Sequence, residues 1–330
     1  MINDIAHPRV LMLTHHNLLE RKSTGTGPGN LSVIIPAYNE EGRVLKTIKQ
    51  VRNLFNELGI EHEIIVVDDG STDATFNEAT SEKFDNVKVV GSKRNRGKGY
   101  AIKYGVNFAT KDLVTFLDAD MELDPRQISI LLEYMEKNRA DIVVGSKRHP
   151  LSTIEYYPML RKFLSKMYNI VLRALLQLEI RDTQAGFKLI RREVAQKIFP
   201  LMRVKRYAFD VEFLAYARRF NFKIVEAPII LKFTRKGWGR IDLMTITNIF
   251  LDTVAVACRF GIMQYYSRIL RDTTVMITAF VSAIYLYKQF INPYVFPGIE
   301  TRGFIALFAF CSIIIVLTLP YESLARKFEK

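Results

Sequence analysis

Leu113-Val114-Thr115-Phe116-Leu117-Asp118-Ala119-Asp120 (LVTFLDAD) is a run of five apolar or β-branched residues that ends on two carboxylates. Such a run fits a strand buried on both faces. Two acids two positions apart can converge once the chain leaves the pleat. Carboxylate oxygens suit hard divalent ions such as Mg²⁺ or Mn²⁺. An ion of that kind can bridge a diphosphate and offset charge on a leaving group. Asp118 and Asp120 are therefore candidate metal ligands, with Glu122 as a third. The plainer reading is an acidic turn facing water. Its place directly after a buried strand favours the ion.

Comparable units lie on either side. Leu31–Ile35 (LSVII) is a short strand that Pro36 should stop, and Gly42–Leu58 carries Val44, Leu45, Ile48, Val51, Leu54, Phe55 and Leu58 at helical spacing. Glu63–Val67 (EIIVV) is a second strand, ending on Asp68-Asp69-Gly70, with a helix over Asp73–Lys83. Val87–Val90 is a third strand, followed by a helix over Lys98–Ala109. After the fourth strand come a helix over Pro125–Asn138, with proline at its start, and a fifth strand at Asp141–Val144. The alternation predicts a parallel α/β sheet with right-handed crossovers. Ligands of such sheets bind beyond the carboxyl ends of the strands, where the polar clusters after strands one, two, four and five fall.

Those clusters have a structural and a chemical reading. Gly70 permits a turn, and Ser71, Thr72 or Asp73 can cap the next helix. The spare aspartate of the Asp68-Asp69 pair can meet a ribose hydroxyl or a base edge. Asn39-Glu40-Glu41 has the same double reading. Asn95-Arg96-Gly97-Lys98-Gly99 opens a helix whose N-terminus favours an anion, and Lys98 can meet a phosphate. The spacing is not that of a Walker A loop.

Composition sets the setting. The chain has 330 residues with 47 Lys+Arg and 34 Asp+Glu, a net charge of +13. The acids after strands one, two and four disfavour a nucleic-acid groove as the reason for that charge. Two cysteines and five histidines exclude a disulfide framework and a multi-histidine metal site. Thr273–Tyr287 and Gly303–Leu319 carry no charge, and the stretch between them holds Asn292-Pro293 and Pro297-Gly298. They predict a two-helix hairpin through a bilayer, each run extended by its flanks. Arg259, Arg268 and Arg271 precede it, and Arg326, Lys327 and Lys330 follow it, which places both ends in the cytoplasm. A pair of buried helices in a soluble fold is the alternative. Val10–Leu13 is too short for a signal peptide. The expected organisation is a flexible segment at 1–30, a catalytic domain at 31–235, juxtamembrane amphipathic helices at 236–271 and the hairpin with a short tail at 272–330.

Basic residues lie toward that membrane. Tyr156–Leu178 sets Arg161, Lys162, Lys166 and Arg173 among leucines and aromatics, as in a helix on an anionic surface. A core-packed helix uses the same stripe. Lys232, Arg235, Lys236 and Arg240 form a second cluster, suited to a lipid phosphate.

Seven segments together carry a resemblance: LSVIIPAYN with Glu40-Glu41, VVDDGSTD, NRGKG, FLDAD, VVGSKR, Arg181–Lys188 (RDTQAGFK) and Tyr207–Glu212 (YAFDVE). In order and spacing, from about Leu31 to Phe233, they resemble the family 2 glycosyltransferases of GT-A fold. The last two resemble the branch of dolichyl-phosphate β-glucosyltransferases and dolichyl-phosphate mannose synthases. The resemblance implies an inverting hexose transfer from a nucleotide sugar to a polyprenyl or dolichyl phosphate. UDP-glucose is favoured as donor, with GDP-mannose the alternative. It also implies roles. Pro36, Tyr38, Glu40, Asp68 and Asp69 would line the nucleotide, and Lys98 the nucleoside or diphosphate. Asp118 and Asp120 would hold Mg²⁺ or Mn²⁺. Arg148 would contact phosphate, and Gln184, Gly186 and Lys188 would border the acceptor. Many mannose-phosphate synthases carry glutamine where this chain has Glu122, so the third metal ligand stays open. The sole tryptophan, Trp238, lies in Arg235-Lys236-Gly237-Trp238-Gly239, so the Gln-x-x-Arg-Trp pattern of processive polysaccharide synthases is missing. Other membrane acceptors, and a binder of nucleotide sugars without catalysis, are the competing readings. The implied setting is an integral membrane protein with a cytoplasmic catalytic domain, in the cell membrane of a prokaryote or the endoplasmic reticulum of a eukaryote. Membrane lipids would be partners, nucleic acid would not, and a homo-oligomer is compatible with the sequence.

Overall fold

The structure is a computed structural model that describes residues 30–121, 123–155, 165–170, 172, 176, 180–183, 186–204, 208–232, 243–260, 274–276, 278, 279 and 282. The chain divides into two compact units, Met1–Thr253 and Val254–Lys330. The first holds the sheets. In the second the described residues are helical.

Nine strands are described: β1 Leu31–Ala37, β2 His62–Asp68, β3 Val87–Gly91, β4 Leu113–Phe116, β5 Ile142–Ser146, β6 Thr153–Glu155, β7 Lys188–Arg191, β8 Ile224–Pro228 and β9 Ile230–Lys232. The helices are α1 Val44–Glu57, α2 Thr75–Thr80, α3 Lys98–Val106, α4 Ile128–Asn138, α5 Arg192–Ile198, α6 Phe209–Arg219 and α7 Leu243–Phe260, with a further helical stretch at 165–170. Seven strands form one sheet in the order β3-β2-β1-β4-β7-β5-β8, and β6 pairs with β9.

The parallel sheet expected from the alternation is present in β1 to β5 and β8, with one reversal. β7 lies between β4 and β5 and runs antiparallel to both. Lys188-Leu189-Ile190-Arg191 has two apolar residues between two cations, too short and too charged at its ends to announce a central strand. β1 also continues past Pro36 to Ala37. Its neighbour β4 stops at Phe116, opposite Ile34, so nothing on that flank needs the missing proline N–H. The helix expected over Pro125–Asn138 opens as a 3₁₀ turn, Pro125–Gln127, where the Asp124 carboxylate accepts from the Arg126 N–H at 2.9 Å.

Burial explains the order. The side chains of β4 and β5 are buried along their length, as a sheet covered on both faces requires. The apolar stripe of α1 (Val44, Ile48, Val51, Leu54, Phe55) joins Val33, Ile35, Ile64 and Val66 in one core. Each such side chain contributes about 1.5–3 kcal/mol when removed from water. The core holds β1, β2, β4 and β5 in one direction, so their carboxyl ends share one edge. β7 runs the other way and brings its first residue, Lys188, to that same edge.

The two uncharged C-terminal runs lie largely outside the described residues, among which no helix is long and apolar enough to cross a membrane. In the stretch expected as a basic amphipathic helix, residues 165–170 are helical; Met167 and Ile170 are exposed, and Leu172 and Leu176 are buried.

Candidate active site

At the β1 and β2 ends, polar side chains stitch two loops together. The Asn39 side-chain oxygen accepts from the Thr72 N–H at 2.9 Å, and the Asn39 N–H donates to Ser71 Oγ at 3.0 Å. The Glu40 N–H donates to Thr75 Oγ1 at 2.8 Å, while the Glu40 carboxylate pairs with Arg43 at 3.2 Å. Ala74, not one of the three expected residues, is the N-cap of α2; one position earlier, the Asp73 carboxylate accepts from the Thr75 N–H at 3.0 Å. Asp68 turns back onto the Ser71 N–H, 3.3 Å away. Pro36 is the last residue but one of β1 and Tyr38 directly follows the strand, exposed beside these stitched loops.

Asp69 does something the sequence did not indicate. Its carboxylate accepts from the Arg96 N–H at 2.9 Å and the Gly97 N–H at 2.6 Å, so it clamps the loop that opens α3. Burial pushes its carboxyl above the ordinary range, against the downward pull of those two N–H groups. Gly70 and Gly97 make the clamp sterically feasible. Gly70 has φ +72°, and a Cβ there would lie 2.5 Å from the Arg94 carbonyl carbon. Gly97 has φ 100°. Neither position suits another residue.

The clamp sets Lys98 as the first residue of α3 and aims it at the β4 end. There Leu117 N–H donates to Ile34 O, and Asp118-Ala119-Asp120-Met121 turns, closed by the Met121 N–H on Asp118 O at 3.1 Å. Met121 has φ 56°, a left-handed conformation uncommon outside glycine. Thr47 of α1 donates to the buried Ala119 carbonyl at 2.7 Å and fixes the turn from below. The Lys98 ammonium lies 2.5 Å from Asp118 Oδ1 and 2.8 Å from Oδ2. Burial lowers the Lys98 pKa, but Asp118 outweighs it, with help from Asp210 and Asp120, and the net shift is upward. Asp120 is partly exposed on the same turn. Gly186 lies close by: a Cβ there would be 3.7 Å from Asp118 Oδ2.

Beneath this pair lies a second one. Lys188 is fully buried, and its ammonium is 2.6 Å from Asp210 Oδ1 and 5.7 Å from the centre of the Phe116 ring. Asp210 lies in the first turn of α6. Burial raises its pKa against the attraction of Lys188 and Lys98. Lys188 therefore reaches the expected edge but faces inward. The YAFDVE segment flagged this region, without showing that its aspartate partners Lys188. Arg148, just past β5, donates to the Ser165 carbonyl at 2.8 Å, and the neighbouring Lys147 N–H donates to buried Asp182 at 2.9 Å. Lys232 ends β9, at a distance in sequence from the acidic turn, and its side chain lies outside the described residues, as do Glu122, Gln184 and Arg235.

The residues thus fall into two groups on one edge. Pro36, Tyr38, Glu40, Asp68 and Asp69 frame the β1–β2 end, and Lys98, Asp118 and Asp120 cluster at the β4 end with Lys188 and Asp210 below. Among the described residues no group of three or more His, Cys, Asp or Glu side chains is set to hold a metal. Mg²⁺ commonly takes only one or two protein carboxylates and completes its shell with substrate phosphates. Asp118 already carries a cation here, the Lys98 ammonium. The donor set fits a divalent ion shared with a diphosphate.

The model of the family described as glycosyl transferase family 2 matches residues 32–199. The dolichyl-phosphate beta-glucosyltransferase of Dictyostelium discoideum is 35% identical over 226 residues, 64% of this chain and 67% of that one. Proteins of the same name from Mus musculus and Saccharomyces cerevisiae are 34% identical over 218 residues (60% of this chain, 66% of that one) and 30% over 232 (64% and 67%). Among solved structures, glucosyl-3-phosphoglycerate synthase of Mycobacterium tuberculosis superposes with a TM-score of 0.54 at 20% identity, over 74% of this chain and 83% of that one. The same enzyme has been solved with Mn²⁺, UDP and phosphoglyceric acid, a structure that superposes with a TM-score of 0.53 at 20% identity over 70% of this chain and 78% of that one. At that identity the likeness shows the fold, an α/β GT-A fold with a mostly parallel sheet. With the sheet order, the acidic turn after β4 and these matches in place, the chain belongs to glycosyl transferase family 2 and is a glycosyltransferase.

Proposed function

We propose that the enzyme transfers glucose from a nucleotide sugar, UDP-glucose in preference to GDP-mannose, to a membrane polyprenyl or dolichyl phosphate. The observation that carries this is the identity, 35%, to a dolichyl-phosphate beta-glucosyltransferase over 226 residues. The chemistry of the edge supports it. Pro36, Tyr38, Glu40 and Asp68 border the nucleoside, and Asp69 holds the loop that presents Lys98. Asp118 and Asp120 would hold Mg²⁺ or Mn²⁺. The chemistry such an ion supplies is neutralisation of charge on a departing diphosphate.

The acceptor oxygen attacks the anomeric carbon as the bond to the diphosphate breaks on the opposite face. One displacement converts an α-linked donor into a β-linked lipid-phosphate sugar. A lipid monophosphate is already anionic near neutral pH, so no side chain has to take a proton from it. It needs cations instead. Lys98 faces the diphosphate side, and Arg148, Lys232 and Arg235 escort the acceptor phosphate, with Gln184 beside it. Lys188 acts from beneath, through Asp210. The uncharged runs Thr273–Tyr287 and Gly303–Leu319 would tether the domain to the bilayer that carries the acceptor.

A donor panel tests the reading. The full-length enzyme, polyprenyl phosphate and Mn²⁺ are incubated with radiolabelled UDP-glucose or GDP-mannose. Label from UDP-glucose should enter the organic phase in a form that mild acid releases as free glucose. Label from GDP-mannose alone would reverse the donor assignment. Label that stays in the aqueous phase with both donors would remove the lipid acceptor.

A further inference from the structure

We propose that the Lys98 ammonium is a built-in counter-cation for Asp118, which a divalent ion must displace and which moves to the donor diphosphate when both bind. The inference rests on the reading of Asp118 and Asp120 as the ion's ligands. One ammonium engages both Asp118 oxygens, at 2.5 and 2.8 Å, so an ion on this carboxylate competes with it for at least one of them. Two cations within about 3 Å of one carboxylate repel each other strongly in a site partly shielded from water.

The surroundings allow the exchange. The base of Lys98 is fixed, because the Asp69 carboxylate holds the Arg96 and Gly97 N–H groups at 2.9 and 2.6 Å. Its four-carbon stem is not, and an ammonium can swing without losing a bidentate geometry. The charges of Asp120 and Asp210 also act on it, so leaving Asp118 does not strand it. Asp210 itself stays with Lys188, 2.6 Å away. An ion binding alone must evict the lysine. An ion binding with a diphosphate offers the lysine a new anion. Metal and nucleotide therefore bind cooperatively, and the coupling runs through one side chain.

The experiment is a Mn²⁺ titration of the full-length enzyme, read by electron paramagnetic resonance of the free ion, without and with UDP. Lys98→Met should bind Mn²⁺ about tenfold more tightly than the wild type in the absence of UDP, equivalent to about 1.4 kcal/mol. Lys98→Arg should stay near the wild type. Lys103→Met removes the same charge from the same helix, where Lys103 caps the Pro200 and Met202 carbonyls, and should also stay near the wild type. UDP should tighten Mn²⁺ on the wild type more than on Lys98→Met. Damage to the fold weakens metal binding, so it does not imitate the expected gain; Lys98→Gln and far-ultraviolet circular dichroism check the fold independently. Equal or weaker Mn²⁺ binding by a folded Lys98→Met or Lys98→Gln overturns the counter-cation. If Asp118→Asn in the Lys98→Met background does not return the affinity to a weak value, the assignment of the ion to Asp118 fails as well.

Discussion

Asp69 and Asp118 follow strands that flank β1 on its two sides, and they are held in opposite ways. Asp69 is 3% exposed and accepts backbone N–H groups from Arg96 and Gly97. The Asp118 side chain is 43% exposed and is held by the ammonium of Lys98, itself a side chain on a flexible stem. A buried carboxylate that accepts from two backbone N–H groups belongs to the fold, because releasing it unties the loop that opens α3. A carboxylate held by a lysine at a half-open edge can change partners at little cost to stability. Lys188 and Asp210, buried below, show what the same two residue types become when water is excluded.

The largest effect should come from the exchangeable acid. Asp118→Asn should lower transfer by on the order of 10³-fold, as loss of a central electrostatic group does. Its melting temperature should barely move, since exposed ion pairs contribute about 0–1 kcal/mol. Initial rates with radiolabelled donor and a circular dichroism melt check both halves. A melting temperature that falls by many degrees would place Asp118 with Asp69, as part of the fold.

The buried pair should behave in reverse. Asp210→Asn leaves the Lys188 charge without its carboxylate and should cost about 3–5 kcal/mol in urea unfolding. Replacing both partners with apolar residues, Lys188→Met with Asp210→Leu, should recover most of that loss. A single variant as stable as the wild type would show that the pair is hydrated rather than sealed.

The smallest effect sharpens the comparison through pH. Burial holds Asp69 above the usual carboxylate range, so the folded chain keeps its proton to higher pH than the unfolded chain. Its contribution therefore declines as pH rises from about 4 through the folded value. Glu63 is the opposite case. Burial pushes it up, but bonds from Ser32, Thr110 and Lys111 outweigh that and hold it below the usual range. Its contribution is complete above about pH 4.3 and is lost as pH falls through the folded value. Urea unfolding from pH 3 to 7 should show the deficit of Glu63→Gln shrinking toward acid and that of Asp69→Asn growing there. Each change should amount to about 1 kcal/mol. Parallel slopes for the two variants would contradict the assignment.

Much of this edge was legible before any coordinates. The strands and the helical stripe of Gly42–Leu58 follow from periodicity, and the acids at their ends follow from where buried runs must stop. The link from Asp69 to Lys98 was not legible, because Asp69 and Gly97 are 28 positions apart and their bond depends on two loops touching. Lys188 read as a cation for the acceptor because the resemblance places its segment near the site. Nothing in RDTQAGFK says that its lysine faces inward onto an aspartate 22 positions later.

The sequence by itself settled the succession of strands and helices from Leu31 to Val144 and the kind of side chain at the ends of those strands. Those depend on local periodicity and turn chemistry, which neighbouring residues carry. Only the tertiary structure decided which acids are locked and which can exchange. That depends on the reversed β7 entering between β4 and β5, which turns Lys188 inward onto Asp210, and on the turn after β4, which leaves Asp118 half-open and paired with Lys98.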